Sequence, residues 1–365
     1  MSSISIIGGG RWARTIAEVL YWLEDAPAPI VIHTLRNAKG VKTWIDQKRF
    51  SGRVLASSRL PDFGFETPTA VIVANDTSGH YAATSLALRA GIPVFVEKPV
   101  AIGRHAVKEL CDLSEDSRTV LAASHVFLFA RYLDTFATFV GARGRLRRLS
   151  CVWNDGPSDI RRGEAKSYDP SVTVFDDVLP HIMPILERLH PGNPVLTSLS
   201  AQCGGARISL GAHTKEVEIT ISLARNSGSR RRTIVAETEG GLYSLDFSAE
   251  PGVINGPGIV EANGDPLWHS APRPVMAMLS AFLAAARGAS FDSRLSPTKA
   301  LASATFADSI RDTYCRQQLE WLERRIGTVP DKAMNYALLE TGLAPRWQTI
   351  DSPTKLRSEL SNLSR

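Results

Sequence analysis

The strongest constraint on the fold is a glycine-rich turn that joins a short apolar strand to an amphipathic helix at the start of the chain. Residues 4–7 (ISII) have the composition of a buried strand, and apolar residues recur at spacings of three and four after residues 8–13 (GGGRWA). The turn matches the G-x-G-x-x-G/A fingerprint, in which glycines let the backbone approach a pyrophosphate at a helix N-terminus. We therefore predict a dinucleotide site at this turn, formed by Gly8, Gly10, Arg11, Trp12 and Ala13.

Strands and helices alternate throughout the first third of the chain. Further strands are predicted at residues 30–35, 70–74, 94–96 and 119–123, with helices at residues 11–24, 80–90 and 104–114. Because parallel strands need crossover helices between them, this alternation predicts an α/β fold with a doubly wound parallel sheet. We assign residues 1–123 to a dinucleotide-binding domain of the Rossmann type.

The pattern changes after Ser124, where strands with alternating polar and apolar residues follow one another with turns between them. These strands are predicted at residues 147–154, 197–203, 206–210, 216–225, 231–238 and 241–248. The scarcity of helices between them predicts an antiparallel sheet, followed by helices at residues 275–287 and 297–324. We assign residues 124–325 to an α+β domain with a large, mostly antiparallel open sheet, and residues 326–365 to a C-terminal extension.

Composition and charge exclude several classes of function. The net charge is +5 and the basic residues are scattered, whereas nucleic-acid binding usually needs a concentrated basic stripe and a reading element. No apolar stretch is long enough to span a bilayer, and the N-terminus lacks the features of a signal peptide. The four cysteines stand far apart without a C-x-x-C pair, which argues against a zinc knuckle and against a disulfide framework. We expect a cytoplasmic protein that acts on a small polar molecule, with no nucleic-acid or membrane partner.

The end of the second predicted strand bears on which dinucleotide binds. An NAD-preferring site usually has Asp or Glu there, accepting a hydrogen bond from the ribose 2′-hydroxyl. This chain has HTLRN at residues 33–37 and no acid. The Arg36 guanidinium can pair with a 2′-phosphate as a planar fork, with Thr34 and Asn37 as neutral partners. The sequence therefore favours NADP(H) over NAD(H).

A charged pair followed by proline, Glu97-Lys98-Pro99, comes directly after the predicted strand at residues 94–96. The carboxyl ends of parallel strands are where an open α/β sheet presents chemistry to a ligand. We therefore place Glu97 and Lys98 at the ligand-binding edge of the sheet.

A second acid–base pair, Asp177 and His181, lies four residues apart in a predicted helix, so that both side chains share one face. A carboxylate beside an imidazole can fix the ring and favour its protonated form, as acid–base catalysis at a C–O or C–N centre requires. The pair has a structural alternative, and Pro180 lies between its members. A metal site with His125 as third ligand lacks a supporting ligand spacing, so we expect no metal.

Together, and in this order, the three motifs resemble the Gfo/Idh/MocA oxidoreductases, named after glucose-fructose oxidoreductase, inositol dehydrogenase and a rhizopine-catabolism protein. The resemblance covers about residues 3–320. It implies a Rossmann domain followed by an α+β domain whose open sheet often forms an oligomer interface, so we expect a homodimer or homotetramer.

The resemblance also implies roles for individual residues. Lys98 is expected near the nicotinamide and the reacting oxygen, and His181 is expected to give or take the proton with Asp177 beside it. Asn75 and His80 match a segment that lines the cofactor in the family. His125 falls where the chain enters the second domain and is expected to border the substrate.

The chain departs from the family pattern in two places. Residues 171–175 (SVTVF) replace the usual glycine-rich stretch before the catalytic aspartate, so the substrate cannot be copied from sugar-oxidising relatives. The extension beyond residue 325 is longer than usual and is a candidate for wrapping a partner subunit.

Three functions stay open at this point. The first is an NADP(H)-dependent oxidoreductase of a sugar, keto-sugar or cyclitol. The second is reduction of a C=N bond, as in the thiazolinyl imine reductases, which tend to lack the E-K-P motif. The third is a non-catalytic dinucleotide sensor like the yeast galactose-pathway repressor, against which the retention of Lys98 and His181 argues.

Overall fold

The computed structural model describes residues 2–65, 67–156, 171–225 and 227–327, together with residues 160–161, 164–165, 169, 336, 340 and 354. The chain forms two compact units. The first consists of Met1–Ala130 and Ser270–Ala304, and the second of Arg131–His269 and Thr305–Arg365. The chain thus returns to the first unit late in the sequence, which differs from the linear division at residues 123 and 124.

Helices and strands are numbered in chain order. The helices are α1 (Arg11–Trp22), α2 (Ala38–Lys48), α3 (His80–Arg89), α4 (Arg104–Asp116), α5 (Arg131–Gly141), α6 (Val174–Leu189), α7 (Pro274–Ala286) and α8 (Pro297–Ile326). Strands of the first unit are β1 (Ile4–Ile7), β2 (Ile30–His33), β3 (Val54–Ser57), β4 (Ala70–Val73), β5 (Val94–Val96) and β6 (Leu121–Ala123). Those of the second are β7 (Leu146–Asn154), β8 (Ile160–Arg161), β9 (Glu164–Ala165), β10 (Val195–Gln202), β11 (Arg207–His213), β12 (Glu218–Ala224), β13 (Arg231–Thr238), β14 (Gly241–Asp246), β15 (Val253–Gly256) and β16 (Ile259–Asn263).

The sheet of the first unit has the strand order β3-β2-β1-β4-β5-β6, with parallel pairing. The predicted doubly wound parallel sheet is confirmed. The strand order reverses between β1 and β4, and the carboxyl ends at such a switch point form the ligand crevice of open α/β sheets. Ile7 pairs with Val73 at this edge, so the loops that follow the two strands start side by side.

Helices cover both faces of this sheet. On one face, apolar residues of α3 and α4, such as Leu88 and Leu110, pack against the strand residues Val71 and Val94. On the other face, the Phe95 ring lies 5.5 Å from that of Phe282 on α7. This packing explains why the segment carrying α7 belongs to the first unit.

The second unit has a sheet in the order β10-β11-β12-β7-β13-β14-β15-β16. Neighbouring strands are antiparallel except β12 and β7, which run parallel. The predicted, largely antiparallel sheet is confirmed, while the parallel pair, β15, β16 and α5 were not predicted. Inward residues of β7 such as Leu149, Cys151 and Trp153 are buried, and α6 lies against this face.

Among the described residues, no helix combines the length and the apolar character needed to cross a membrane.

Candidate active site

The turn between β1 and α1 has little room for side chains except at one position. Gly8 has a φ of +131°, and a Cβ there would collide with the carbonyl group of Ala74. A Cβ at Gly10, by contrast, would have no described atom within 4 Å. Gly10 is the N-cap of α1, whose first turn (RWAR, residues 11–14) carries two arginines. This open, electropositive helix N-terminus fits the pyrophosphate of a dinucleotide.

The residues after β2 are tied to the glycine turn. Asn37 Nδ2 donates to the carbonyl oxygen of Gly9 at 2.9 Å, and Asn37 N donates to Thr34 Oγ1 at 3.3 Å. The Arg36 side chain is 92% exposed and lies 3.9 Å from the carboxylate of Asp76, which follows β4. The structure therefore brings Thr34, Arg36 and Asn37 to the predicted edge, with the exposed guanidinium of Arg36 at its rim.

His80 links the loops that follow β4 and β5. Its ring is buried, with Nδ1 2.8 Å from the carbonyl oxygen of Pro99 and Nε2 3.1 Å from that of Asn75. The side-chain oxygen of Asn75 is buried and has no hydrogen-bond partner among the described residues. An unsatisfied acceptor at the switch point suits a ligand donor such as an amide or a hydroxyl group.

The two charged residues of the E-K-P motif have different environments. Glu97 is buried, and this burial raises the pKa of its carboxyl; hydrogen bonds from Trp12 and Ser124 and the charge of Lys98 oppose the rise. Its Oε2 accepts a hydrogen bond from the backbone N–H of Lys98 at 3.3 Å. Lys98 is only partly buried. The glutamate thus supports the loop from inside, and the lysine is the member that a ligand can reach.

His125 lies inside the first unit. Its ring is buried, with Nε2 3.3 Å from the carbonyl oxygen of Ser296 in the loop before α8. The sequence placed this histidine beside the substrate, whereas the described contact ties it to the backbone of its own unit.

In the second unit, α6 carries two adjacent aspartates with different surroundings. Asp176 is buried and receives two hydrogen bonds from Arg311, at 2.8 and 3.0 Å. It also pairs with Thr173, the N-cap residue of the helix. The side chain of Asp177 is 24% exposed and lies 3.6 Å from the guanidinium of Arg225. Asp176 therefore anchors the helix, while Asp177 is accessible to a ligand.

The helix α6 runs unbroken from residue 174 to residue 189 although it contains Pro180 and Pro184. Proline lacks the N–H that would bond to the carbonyl group four residues earlier, but the surrounding packing keeps the helix intact. Asp177 and His181 therefore occupy positions i and i+4 of one continuous helix, on the same face.

A buried aromatic and cationic group supports His181, and the sequence did not reveal it. The His181 ring stacks on Trp153 of β7, with centroids 5.2 Å apart and planes 17° from parallel. Arg232 of β13 lies 4.1 Å from the same indole and forms a buried ion pair with Asp155 at 3.2 Å. The inward position of Trp153 in a predicted strand was the available signal, but nothing in the sequence pairs it with His181.

Among the described residues, no group of three or more His, Cys, Asp or Glu side chains is arranged to hold a metal ion.

Comparisons with known proteins agree with the fold. Residues 3–125 match the model of a family described as an oxidoreductase family with an NAD-binding Rossmann fold, GFO_IDH_MocA. The chain is 31% identical over 201 residues to YceM of Salmonella typhimurium, which is named as an oxidoreductase; the match covers 52% of this chain and 60% of YceM. The chain thus spans less than two thirds of that curated relative.

Two solved structures share the fold over most of both chains. The UDP-N-acetylglucosamine 3-dehydrogenase GnnA of Acidithiobacillus ferrooxidans has a TM-score of 0.66 at 17% identity, covering 87% of this chain and 98% of GnnA. The 3-ketoreductase KijD10 of Actinomadura kijaniata, solved with TDP-benzene and NADP, has a TM-score of 0.68 at 16% identity, covering 85% and 96%. The glycine turn, the parallel sheet and the family match agree that residues 3–125 are similar to the NAD-binding Rossmann domain of the Gfo/Idh/MocA oxidoreductases.

Proposed function

We propose that this protein is an NADP(H)-dependent oxidoreductase that acts on a carbonyl or hydroxyl carbon of a sugar, keto-sugar or cyclitol. The observation that carries the proposal is the edge of the parallel sheet at β1, β4 and β5. There, an open helix N-terminus at Gly10 follows β1 and the partly exposed Lys98 follows β5, the two strands on either side of β4. The helix N-terminus can bind the pyrophosphate of a dinucleotide, and Lys98 can stabilise negative charge that develops on a substrate oxygen.

Different residues of the first unit would bind different parts of the dinucleotide. The N-terminus of α1, with Gly8, Gly10, Arg11, Trp12 and Ala13, would hold the pyrophosphate. The side chains of Arg36, Thr34 and Asn37 would hold the 2′-phosphate. Asn75, His80 and Glu97 would form the wall beside Lys98, since His80 ties the two loops together.

When bound, the nicotinamide cofactor supplies or accepts the hydride. The ammonium group of Lys98 stabilises the negative charge that develops on the substrate oxygen during reduction. His181 then donates its proton to that oxygen, and it removes the proton in the oxidative direction. Asp177 orients the imidazole and favours its charged form, while the stack on Trp153 restricts the plane of the ring.

The substrate class of this proposal is supported by the fold neighbours. One fold neighbour is named as a UDP-N-acetylglucosamine 3-dehydrogenase and the other as a 3-ketoreductase solved with TDP-benzene, which supports a sugar or a nucleotide-linked sugar as substrate. His125 keeps a proposed place near the substrate through the loop it anchors. A panel of keto-sugars, nucleotide-linked sugars, cyclitols and cyclic imines distinguishes the leading function from imine reduction.

The test is the rate of NADPH consumption with this panel in four variants. Lys98→Met and His181→Ala are expected to lower kcat/KM on the order of 10²–10⁴-fold. Lys108→Met on α4 and His213→Ala on β11 are matched controls, because both side chains are exposed on other elements, and they should retain the wild-type rate. Near-normal turnover in both Lys98→Met and His181→Ala would remove these residues from the mechanism.

A homo-oligomer through the outward face of the second sheet is part of the same proposal. That face is polar: Arg148 lies 2.8 Å from Glu218 and 2.9 Å from Glu237, and the Ser150 and Thr220 hydroxyls are 2.8 Å apart. Such a flat, hydrogen-bonded surface can pair with a copy of itself. Light scattering should give a dimer or tetramer for the wild type and a smaller mass for Thr220→Arg, and a monomeric wild type would refute the proposal.

A further inference from the structure

A glutamate from the C-terminal extension is buried against the site helix of the second unit. Glu340 is fully buried, and its Oε2 accepts hydrogen bonds from the Tyr314 hydroxyl at 2.6 Å and from the backbone N–H of Val174 at 3.1 Å. Gln318 in turn donates to the Tyr314 hydroxyl at 2.6 Å. The extension therefore contributes one carboxylate to the first turn of α6, three residues before Asp177.

The same carboxylate forms an ion pair with a buried arginine. Glu340 Oε1 lies 2.9 Å from Arg225 Nη1, and the Arg225 side chain is 2% exposed. The backbone of Arg225 is fixed at the end of β12 by a hydrogen bond from its N–H to the carbonyl oxygen of Ala206, at 2.9 Å. The ion pair with Glu340 compensates the charge of this buried guanidinium, and its loss would leave that charge less well compensated.

Arg225 also faces the proposed catalytic pair. Its Nη2 lies 3.6 Å from Asp177 Oδ2, farther than the distance to Glu340. Two carboxylates therefore share one guanidinium, and the shorter contact belongs to Glu340. If Glu340 loses its charge, this closer carboxylate no longer competes with Asp177 for Arg225, and the aspartate is drawn away from stabilising an imidazolium.

We propose that Glu340 is a positioning residue that holds Arg225 and thereby controls how strongly Asp177 acts on His181. This inference rests on the proposed function of His181 as the proton carrier. It assigns the C-terminal extension a role in the site of its own chain.

The protonation of Glu340 makes this control dependent on pH. Burial raises the pKa of Glu340 to about 7, while Arg225, the Tyr314 hydroxyl and the Val174 N–H lower it and Asp177 raises it further. Above this pH the carboxylate is charged and holds Arg225. Below this pH the carboxyl of Glu340 is neutral, and Arg225 interacts more strongly with Asp177.

The test compares Glu340→Gln with the wild type between pH 5.5 and pH 9, with the exposed Glu216→Gln as a control. At pH 8 we expect kcat of Glu340→Gln to fall about tenfold, with KM for NADPH within about twofold; tenfold corresponds to about 1.4 kcal/mol, within the range of coupling energies between neighbouring residues. The wild type should lose activity as the pH falls through about 7, and Glu340→Gln should lack this acid limb. Tyr314→Phe removes a hydrogen bond that lowers the pKa of Glu340, so the loss of activity on the acid side should occur at higher pH in this variant. Tyr314→Phe is the alternative test if Glu340→Gln does not fold.

A readout without turnover separates this inference from the proposed function. The NMR titration of the His181 ring, assigned with His181→Asn, should have its midpoint at lower pH in Glu340→Gln than in the wild type, by roughly half a unit. An unchanged midpoint, with an unchanged acid limb and only reduced stability, would show that Glu340 is purely structural. A shifted midpoint in a protein that consumes no NADPH would refute the proposed function and leave the coupling between Glu340 and His181 standing.

Discussion

The imidazole of His181 lies face to face with the indole of Trp153, at a centroid distance of 5.2 Å. The histidine belongs to helix α6 and the tryptophan to strand β7, so the plane of the proposed acid–base group is set by the sheet as well as by its own helix. Trp153 is 3% exposed and carries the Arg232 guanidinium against its ring. A change at Trp153 therefore affects both the stability of the unit and the orientation of His181.

Trp153→Ala should lower the free energy of unfolding by about 3–5 kcal/mol, because it removes a large buried side chain. Trp153→Phe keeps an aromatic face for His181 and should cost clearly less. Urea unfolding measures both, and kcat/KM should follow the same order. Equal losses in the two variants would contradict the stacking role.

The two outer glycines of the turn should respond differently to a single methyl group. At Gly8 the φ of +131° and the Ala74 carbonyl exclude a Cβ, so Gly8→Ala should cost about 1–3 kcal/mol of stability. At Gly10 the φ is −75° and the space is open, so Gly10→Ala should cost less than about 1 kcal/mol.

The affinity for NADPH should also respond to the new methyl group at Gly10. The new methyl group at Gly10 fills the space that a pyrophosphate needs, so Gly10→Ala should weaken NADPH binding about tenfold or more. Calorimetric titration of the folded variant with NADPH checks this. Unchanged affinity would mean that the cofactor does not approach the turn.

Arg36→Ala tests the preference for NADP(H). A hydrogen bond to a charged group contributes about 1.5–3 kcal/mol, so Kd for NADPH should rise about 10- to 150-fold, while Kd for NADH stays within about threefold. Arg89→Ala is a matched control, because Arg89 is exposed at the end of α3, far along the chain from the turn. Equal weakening of both cofactors, or tighter NADH than NADPH in the wild type, would contradict the preference.

Burial of Glu97 predicts a dependence of stability on pH. Since its pKa is raised above the ordinary value of 4.5, the folded protein binds this proton more tightly than the unfolded chain. The contribution of Glu97 is therefore most favourable below pH 4.5 and is lost as the pH rises through the raised pKa. Glu97→Gln should gain stability relative to the wild type over that rise, as urea unfolding at several pH values would show. A difference that does not change with pH would contradict the burial effect.

Much of the fold could be predicted because its signals are local. The apolar runs at residues 4–7 and 70–74, with the glycine turn, are sufficient to indicate a parallel sheet and its switch point. The packing of α7 was not predictable in this way: its apolar pattern shows that it is buried but not which sheet it covers. The contact between Phe95 and Phe282 decides that, and it joins residues far apart in the sequence.

The same distinction between local signals and long-range contacts applies to the candidate site. Lys98, Asp177 and His181 were predicted from motifs with fixed local spacing. Trp153, Arg225 and Glu340 were not predicted, because each is recognised by its contact with a residue on another strand or helix. For His125, the position in the sequence predicted a substrate contact, and the structure adds a contact between its ring and the Ser296 carbonyl that the sequence did not indicate.

The most direct test of the account is transfer of deuterium from the nicotinamide C4 of labelled NADPH to a keto-sugar, measured in a single turnover by mass spectrometry. The wild type should place the label on the carbon that carries the new hydroxyl group. His181→Ala should bind NADPH normally and transfer the label on the order of 10²–10⁴-fold more slowly. Tight NADPH binding by the wild type without label transfer to any carbonyl or imine of the panel would contradict the account and identify the protein as a dinucleotide-binding regulator.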